Sequence, residues 1–112
     1  MSGSAAGLTP PAALGHPKEW GMVALTIDPS STSVTPMTTV NVGGGTWSYG
    51  TGLASNGLKA CYSNYVHPTA YHSSTAVIGA ANVKNYANAG SWSNSYATNG
   101  WAYTCYTYWA TY

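Results

Sequence analysis

Cys61, His67, His72 and Cys105 are the residues best equipped for chemistry, and Tyr62, Tyr65 and Tyr71 crowd around the first three in the stretch CYSNYVHPTAYHSS (61–74). A thiolate beside an imidazole could pair as nucleophile and base, and two histidines flanking Pro68 could begin a zinc site. Each chemistry lacks a part. A Ser-His-Asp arrangement needs an acid and glycoside hydrolysis needs two carboxylates, yet from Val42 onward there is no Asp, Glu or Arg. Zinc would need ligands beyond His67 and His72, and only His16 or the cysteines could supply them. The histidines therefore read as hydrogen-bonded structural or surface groups. No metal or cofactor is expected, and the chain is expected not to be an enzyme.

The cysteines have a simpler use. A chain of 112 residues makes one domain with a marginal core. A bond between Cys61 and Cys105 would remove unfolded-state entropy worth about 4 kcal/mol in the chain-entropy model. The alternative is a pair of buried thiols in a reducing compartment. Charge argues for export: the only ionised side chains at neutral pH are Lys18, Glu19, Asp28, Lys59 and Lys84. A surface built from Ser, Thr, Asn, Gly and Tyr suits exported proteins and hydrogen-bonding surfaces better than cytosolic ones, whose solubility relies on charge. A net charge of +1 gives no footprint for nucleic acid, which needs clustered Lys and Arg. No run approaches the roughly 20 apolar residues of a membrane-spanning helix. The stretch GMVALTI (21–27) lacks the basic region of a signal peptide, so an exported protein would carry its leader ahead of these residues.

Two regions differ in texture. Residues 1–42 hold five of the six prolines and read as an extended tail, with Leu14, Trp20, Met22, Val23, Leu25 and Ile27 gathered around HPKEWGMVALTI (16–27). Such a patch either packs on the domain as an edge strand or waits for a partner. Residues 43–112 form the domain. Short runs rich in Tyr, Trp, Thr and Val, punctuated by Gly and Asn, predict six strands at 46–49, 58–66, 73–78, 82–86, 91–97 and 101–111. In the fifth, Trp92, Asn94 and Tyr96 alternate with Ser91, Ser93 and Ser95, which assigns the serines to solvent and the aromatics to the interior. The sixth carries aromatics on both faces and is expected to be central and covered on both sides. Asn99-Gly100 is a type I′ hairpin signal that would pair the last two strands. The five tryptophans and ten tyrosines could stack on sugars or form a hydrogen-bonded protein interface. With no Phe and few Leu or Ile, most are expected in the core.

Four motifs together carry a resemblance: GGGTWSYG (43–50), CYSNYVHPTAYHSSTAV (61–77), AGSW (89–92) and YTCYTYW (103–109). In this order they resemble the lactococcin 972 family of secreted bacteriocin-like proteins. The framework residues are Trp47, Tyr62, Ser63, Asn64, Tyr65, His67, His72, Trp92 and Trp109. The resemblance implies an all-β fold, a small β-sandwich of two three-stranded antiparallel sheets. Within the family, the small adaptor subunit of umbrella toxin particles is similar in having an N-terminal extension. That similarity implies a secreted, non-enzymatic adaptor in an interbacterial toxin complex. Its sandwich would dock on a large toxin subunit, and Leu14, His16, Pro17, Trp20, Met22, Leu25 and Ile27 would enter a lectin-like subunit. The runner-up is a free-standing bacteriocin that binds lipid II and blocks septum formation, and a third reading is a carbohydrate-binding module using surface Trp and Tyr.

Overall fold

A computed structural model describes residues 15–25 and 38–112; Leu14 and Ile27 lie outside the described residues. All its regular elements are strands: β1 (Glu19–Leu25), β2 (Thr38–Val42), β3 (Gly45–Leu53), β4 (Lys59–Val66), β5 (His72–Ile78), β6 (Ala81–Ala87), β7 (Trp92–Asn99) and β8 (Cys105–Thr111). They form two four-stranded antiparallel sheets, ordered β1-β8-β5-β6 (sheet A) and β2-β3-β4-β7 (sheet B). The six expected strands are β3 to β8. The expectation of three strands per sheet is corrected to four, because β1 and β2 each pair along an edge that six strands would leave open. An unpaired edge exposes a row of backbone donors and acceptors, and pairing removes it.

The hairpin lies elsewhere than expected. Asn99-Gly100 does not join paired strands, since β7 bonds to β4 while β8 lies between β1 and β5 in the other sheet. Asn99 instead ties the sheets together, its Nδ2 donating to the Ile78 carbonyl at 3.1 Å and its Oδ1 accepting from the Gly100 amide at 2.8 Å. Two-residue hairpins occur instead at Gly79-Ala80 between β5 and β6 and at Gly43-Gly44 between β2 and β3, where both glycines have positive φ (62° and 85°), the region a type I′ turn requires. Gly43 has a second reason to be glycine, because a Cβ there would run into the Trp109 ring.

The interior is unusually polar. On β7 the alternation is real but its polarity is reversed: Ser93, Ser95 and Ala97 are buried while Trp92 and Tyr96 are 47% and 55% exposed. The reason is the hydrogen bonding available between closely apposed sheets. Ser63 Oγ of sheet B donates to the Tyr108 carbonyl of sheet A at 2.9 Å. Ser74 Oγ of sheet A donates to the Ser93 carbonyl, and Ser95 Oγ of sheet B returns a bond to the Ser74 carbonyl, each at 2.8 Å. A short hydroxyl satisfied this way avoids the burial penalty that normally sends serine outward. The Cys61–Cys105 disulfide joins β4 to β8 along the same seam, with Cα atoms 5.5 Å apart and both residues fully buried. The cystine forms one small apolar cluster with Ala76, Ile78 and Ala97, and Val42, Trp47, Tyr49, Tyr65 and Trp109 form a second.

Consequently most aromatics are not in the core. Among the tryptophans and tyrosines only Trp47, Trp109, Tyr49 and Tyr65 are buried. Strand β8 is central as expected, but only one of its faces is sealed: Tyr106 on the outer side is 38% exposed.

Candidate functional site

Four of the framework residues, Tyr65, His67, His72 and Trp109, come together beside the Gly43-Gly44 turn. Tyr65 on β4 lies edge-on to His72 (centroids 5.6 Å apart) and 5.2 Å from the tilted Trp109 ring, and its hydroxyl donates to the Val42 carbonyl at 2.8 Å. Burial, reinforced by the Glu19 carboxylate and opposed by a backbone hydrogen bond from Gly45, holds the Tyr65 phenol well above its ordinary value. Trp47 donates through Nε1 to Ser63 Oγ at 2.9 Å. His67 Nδ1 accepts from the Thr69 and Ala70 amides at 3.1 and 2.9 Å, which leaves the proton on Nε2 to donate to the Gly43 carbonyl at 3.0 Å. His67 is thus the clasp of the Gly43-Gly44 turn.

His72 is fully buried at the start of β5, with Nδ1 2.8 Å from the Ala70 carbonyl and Nε2 2.7 Å from the Ser91 carbonyl. Both carbonyls can only accept, so each contact is a hydrogen bond where the ring nitrogen facing it carries a proton. The nitrogens of His67 and His72 are therefore occupied by backbone groups, and among the described residues no cluster of three or more His, Cys, Asp or Glu is arranged to hold a metal ion. The stretch from Cys61 to Ser74 thus builds a hydrogen-bonded corner of the fold.

What the fold turns outward is aromatic. On sheet A the registers align Trp20, Ala110, Ser73 and Tyr86 in one row, Met22, Tyr108, Thr75 and Lys84 in the next, and Ala24, Tyr106, Val77 and Asn82 in the third. Tyr71 and Tyr86 stack at 5.5 Å beside Tyr112, and the Lys84 ammonium sits 4.6 Å above the Tyr86 ring. Its hydrogen bond to the phenol lowers the Tyr86 pKa, against a smaller upward effect of burial. Burial, reinforced by Tyr106, raises that of Tyr108. Ser73 and Thr75, although outward by register, are covered by this layer.

Sheet B presents a second surface. Its outer rows are Asn41, Thr46, Val66 and Trp92; then Thr39, Ser48, Asn64 and Asn94; then Gly50, Tyr62 and Tyr96. A groove of 370 Å³ is lined by Ser48, Asn64, Trp92 and Asn94, and a cleft of 580 Å³ by residues that include Asn41, Thr46, Val66 and Pro68. Of the framework residues, Tyr62, Asn64 and Trp92 therefore face outward, while Trp47, Ser63, Tyr65, His67, His72 and Trp109 do not. Tyr96 and Asn94 beside them were missed in the sequence because the alternation of β7 was given the wrong polarity.

Of the N-terminal candidates, Trp20, Met22 and Leu25 lie on β1, paired in register with β8. Leu25 packs against both apolar clusters, and its carbonyl lies 3.4 Å from the buried Lys59 ammonium, which also donates to the Tyr103 carbonyl at 2.8 Å. Burial lowers the Lys59 pKa. His16 is exposed and Pro17 half-buried, ahead of the strand.

Two four-stranded sheets, stapled by one disulfide and zipped by serine hydroxyls, define a small disulfide-bonded β-sandwich. A family model described as Bacteriocin (Lactococcin_972) matches residues 43–109, and the chain belongs to that family. Comparison with curated proteins and with solved structures yields no match. Membership suggests a bacteriocin-like, secreted protein.

Proposed function

We propose that the protein is a secreted, non-enzymatic binding protein of interbacterial antagonism, and that it serves as an adaptor in an umbrella-type toxin complex. The sandwich docks on a large toxin subunit through the outer face of sheet A. The observation that carries this reading is the composition of that face, where Trp20 and Met22 of β1 extend the layer made by Tyr106, Tyr108 and Tyr86. Large, rigid, amphipathic side chains of this kind contribute most of the energy at protein contacts and lose little entropy on binding. Because Glu19–Leu25 is already hydrogen-bonded to β8, the candidates left to reach a lectin-like subunit are Leu14, His16 and Pro17 ahead of that strand and Ile27 after it.

The family match favours a second reading, a free-standing bacteriocin, for which the resemblance implies lipid II as the target. Purification from the culture fluid of a producing strain separates the two. The adaptor elutes in a high-mass assembly from which Tyr106→Ala or Tyr108→Ala releases it, whereas killing of a susceptible strain by the isolated chain would refute the adaptor. Deleting residues 1–18 removes none of the eight strands and is expected to cost only the lectin-like partner.

A further inference from the structure

We propose that the outer face of sheet B is a binding site for an extended, uncharged oligosaccharide, with Trp92 and Tyr96 as stacking platforms and Asn64, Asn94 and Ser48 as the hydrogen-bonding row between them. Trp92 and Tyr96 lie four residues apart on the same face of β7, so about 13 Å separates their Cα atoms, the reach of a short oligosaccharide. Asn64 and Asn94 are directly opposite each other on β4 and β7, one row in from Trp92, and no side chain among the described residues pairs with their amides. The groove they line with Ser48 and Trp92 has a volume of 370 Å³, within the range of small-ligand sites.

Charge decides the ligand class. Among the described residues every ionised side chain lies elsewhere: Lys18 and Glu19 precede or begin β1, Lys84 covers Tyr86 on the opposite sheet, and Lys59 points into the interior. A phosphate or uronate would find no cation here, so a charged ligand gains nothing over water. A flat apolar protein surface would leave the two amides unpaired, at a cost of roughly 1–3 kcal/mol for each buried group. A hydroxyl-rich pyranose satisfies both features, since its apolar faces stack on indole and phenol while its hydroxyls bond to amides that both donate and accept. Thr39 and Asn41 hold the flank in place: the Thr39 and Ser48 hydroxyls share a hydrogen bond at 3.0 Å, and Asn41 Oδ1 accepts from Thr46 Oγ1 at 3.2 Å. The face lies opposite the one assigned to protein docking, so both can be occupied at once.

The test is titration of the intact chain with chitotetraose and cellotetraose as neutral probes and tetragalacturonate as the anionic one, followed by calorimetry and tryptophan fluorescence. At least one neutral tetramer is expected to bind and to change the tryptophan emission, with tetragalacturonate at least tenfold weaker. Trp92→Ala and Asn94→Ala should each weaken binding by about tenfold, the equivalent of about 1.4 kcal/mol. Both positions are exposed, and near-UV circular dichroism is the check that the variants fold. Tyr106→Ala, on the other sheet, should leave binding unchanged. The proposal is overturned if neither neutral tetramer binds at about 10 mM, a concentration above the millimolar constant expected of weak sugar sites. Equal binding of the anionic probe, an unchanged Trp92→Ala, or loss of binding in Tyr106→Ala would overturn it as well.

Discussion

Replacing Ser63 by alanine tests whether hydroxyls hold the two sheets together. The side chain is fully buried and makes two hydrogen bonds at 2.9 Å, accepting from Trp47 Nε1 and donating to the Tyr108 carbonyl of the other sheet. Without the hydroxyl, the buried indole N–H has no acceptor, which costs about 1–3 kcal/mol, and loss of the second bond costs about 1 kcal/mol more. A chain of this length loses about 4 °C of Tm per kcal/mol, so Ser63→Ala should melt roughly 8–16 °C below the parent. Thermal unfolding alone would not separate lost bonds from lost packing, but a double-mutant cycle with Trp47→Phe does. In the Trp47→Phe background no indole N–H remains to be stranded, and the Ser63→Ala penalty should shrink by about 1–3 kcal/mol. A coupling below about 0.5 kcal/mol would refute the Trp47–Ser63 bond within sheet B, and a Ser63→Ala penalty that vanishes in the Trp47→Phe background would refute the bond that crosses to the Tyr108 carbonyl of sheet A.

Exchanging both Cys61 and Cys105 for alanine should lower the stability measured by urea unfolding by about 4 kcal/mol, the entropy of a closed loop spanning 44 residues. Gly43→Ala should destabilise by more than about 1 kcal/mol, because the backbone there has φ 62° and a Cβ meets Trp109. Gly57→Ala has the φ penalty but open space, so the difference between the two variants isolates the clash. Stability should fall as pH rises above about 10. Tyr65 is held protonated in the folded chain by burial, whereas the unfolded chain releases that proton near the ordinary phenol value. Circular dichroism should show that Tyr65→Phe has a shallower alkaline decline, and an identical slope would count against the assignment.

The strands were legible because their signal is local. β-branched and aromatic residues between Gly and Asn clusters placed β3 to β8 within a few residues of where they occur. The disulfide was legible from chain length and cysteine count. What sequence could not show was which side of β7 faces in, because the period of two fixes the alternation and leaves its sign to hydrophobicity. Here that sign was misleading: Ser93 and Ser95 are welcome inside only because carbonyls of the neighbouring strands lie within reach of their hydroxyls. The same limit hid the Asn64–Asn94 row, whose meaning comes from cross-strand pairing. Strand β1 was ambiguous for another reason. EWGMVAL is as suitable for a partner's groove as for the edge of β8, and only the tertiary register distinguishes them.

The polar seam and the exposed aromatics are two sides of one arrangement. In a sandwich of this size the core normally takes up the large apolar residues, and small chains that lack enough of them need staples. Here the staple is a disulfide, and between β4, β5 and β7 the sheets meet through serine hydroxyls that need little volume. Tyr62, Trp92 and Tyr96 on one sheet, and Trp20, Tyr86, Tyr106 and Tyr108 on the other, are thereby free to face outward in registered rows. A larger residue at Ser74 or Ser95 would push the sheets apart, and since those rows are built on the same strands, both outer faces would be distorted together. Ser95→Val should therefore weaken recognition at both faces as well as lower Tm, whereas a surface change such as Tyr106→Ala should affect only one.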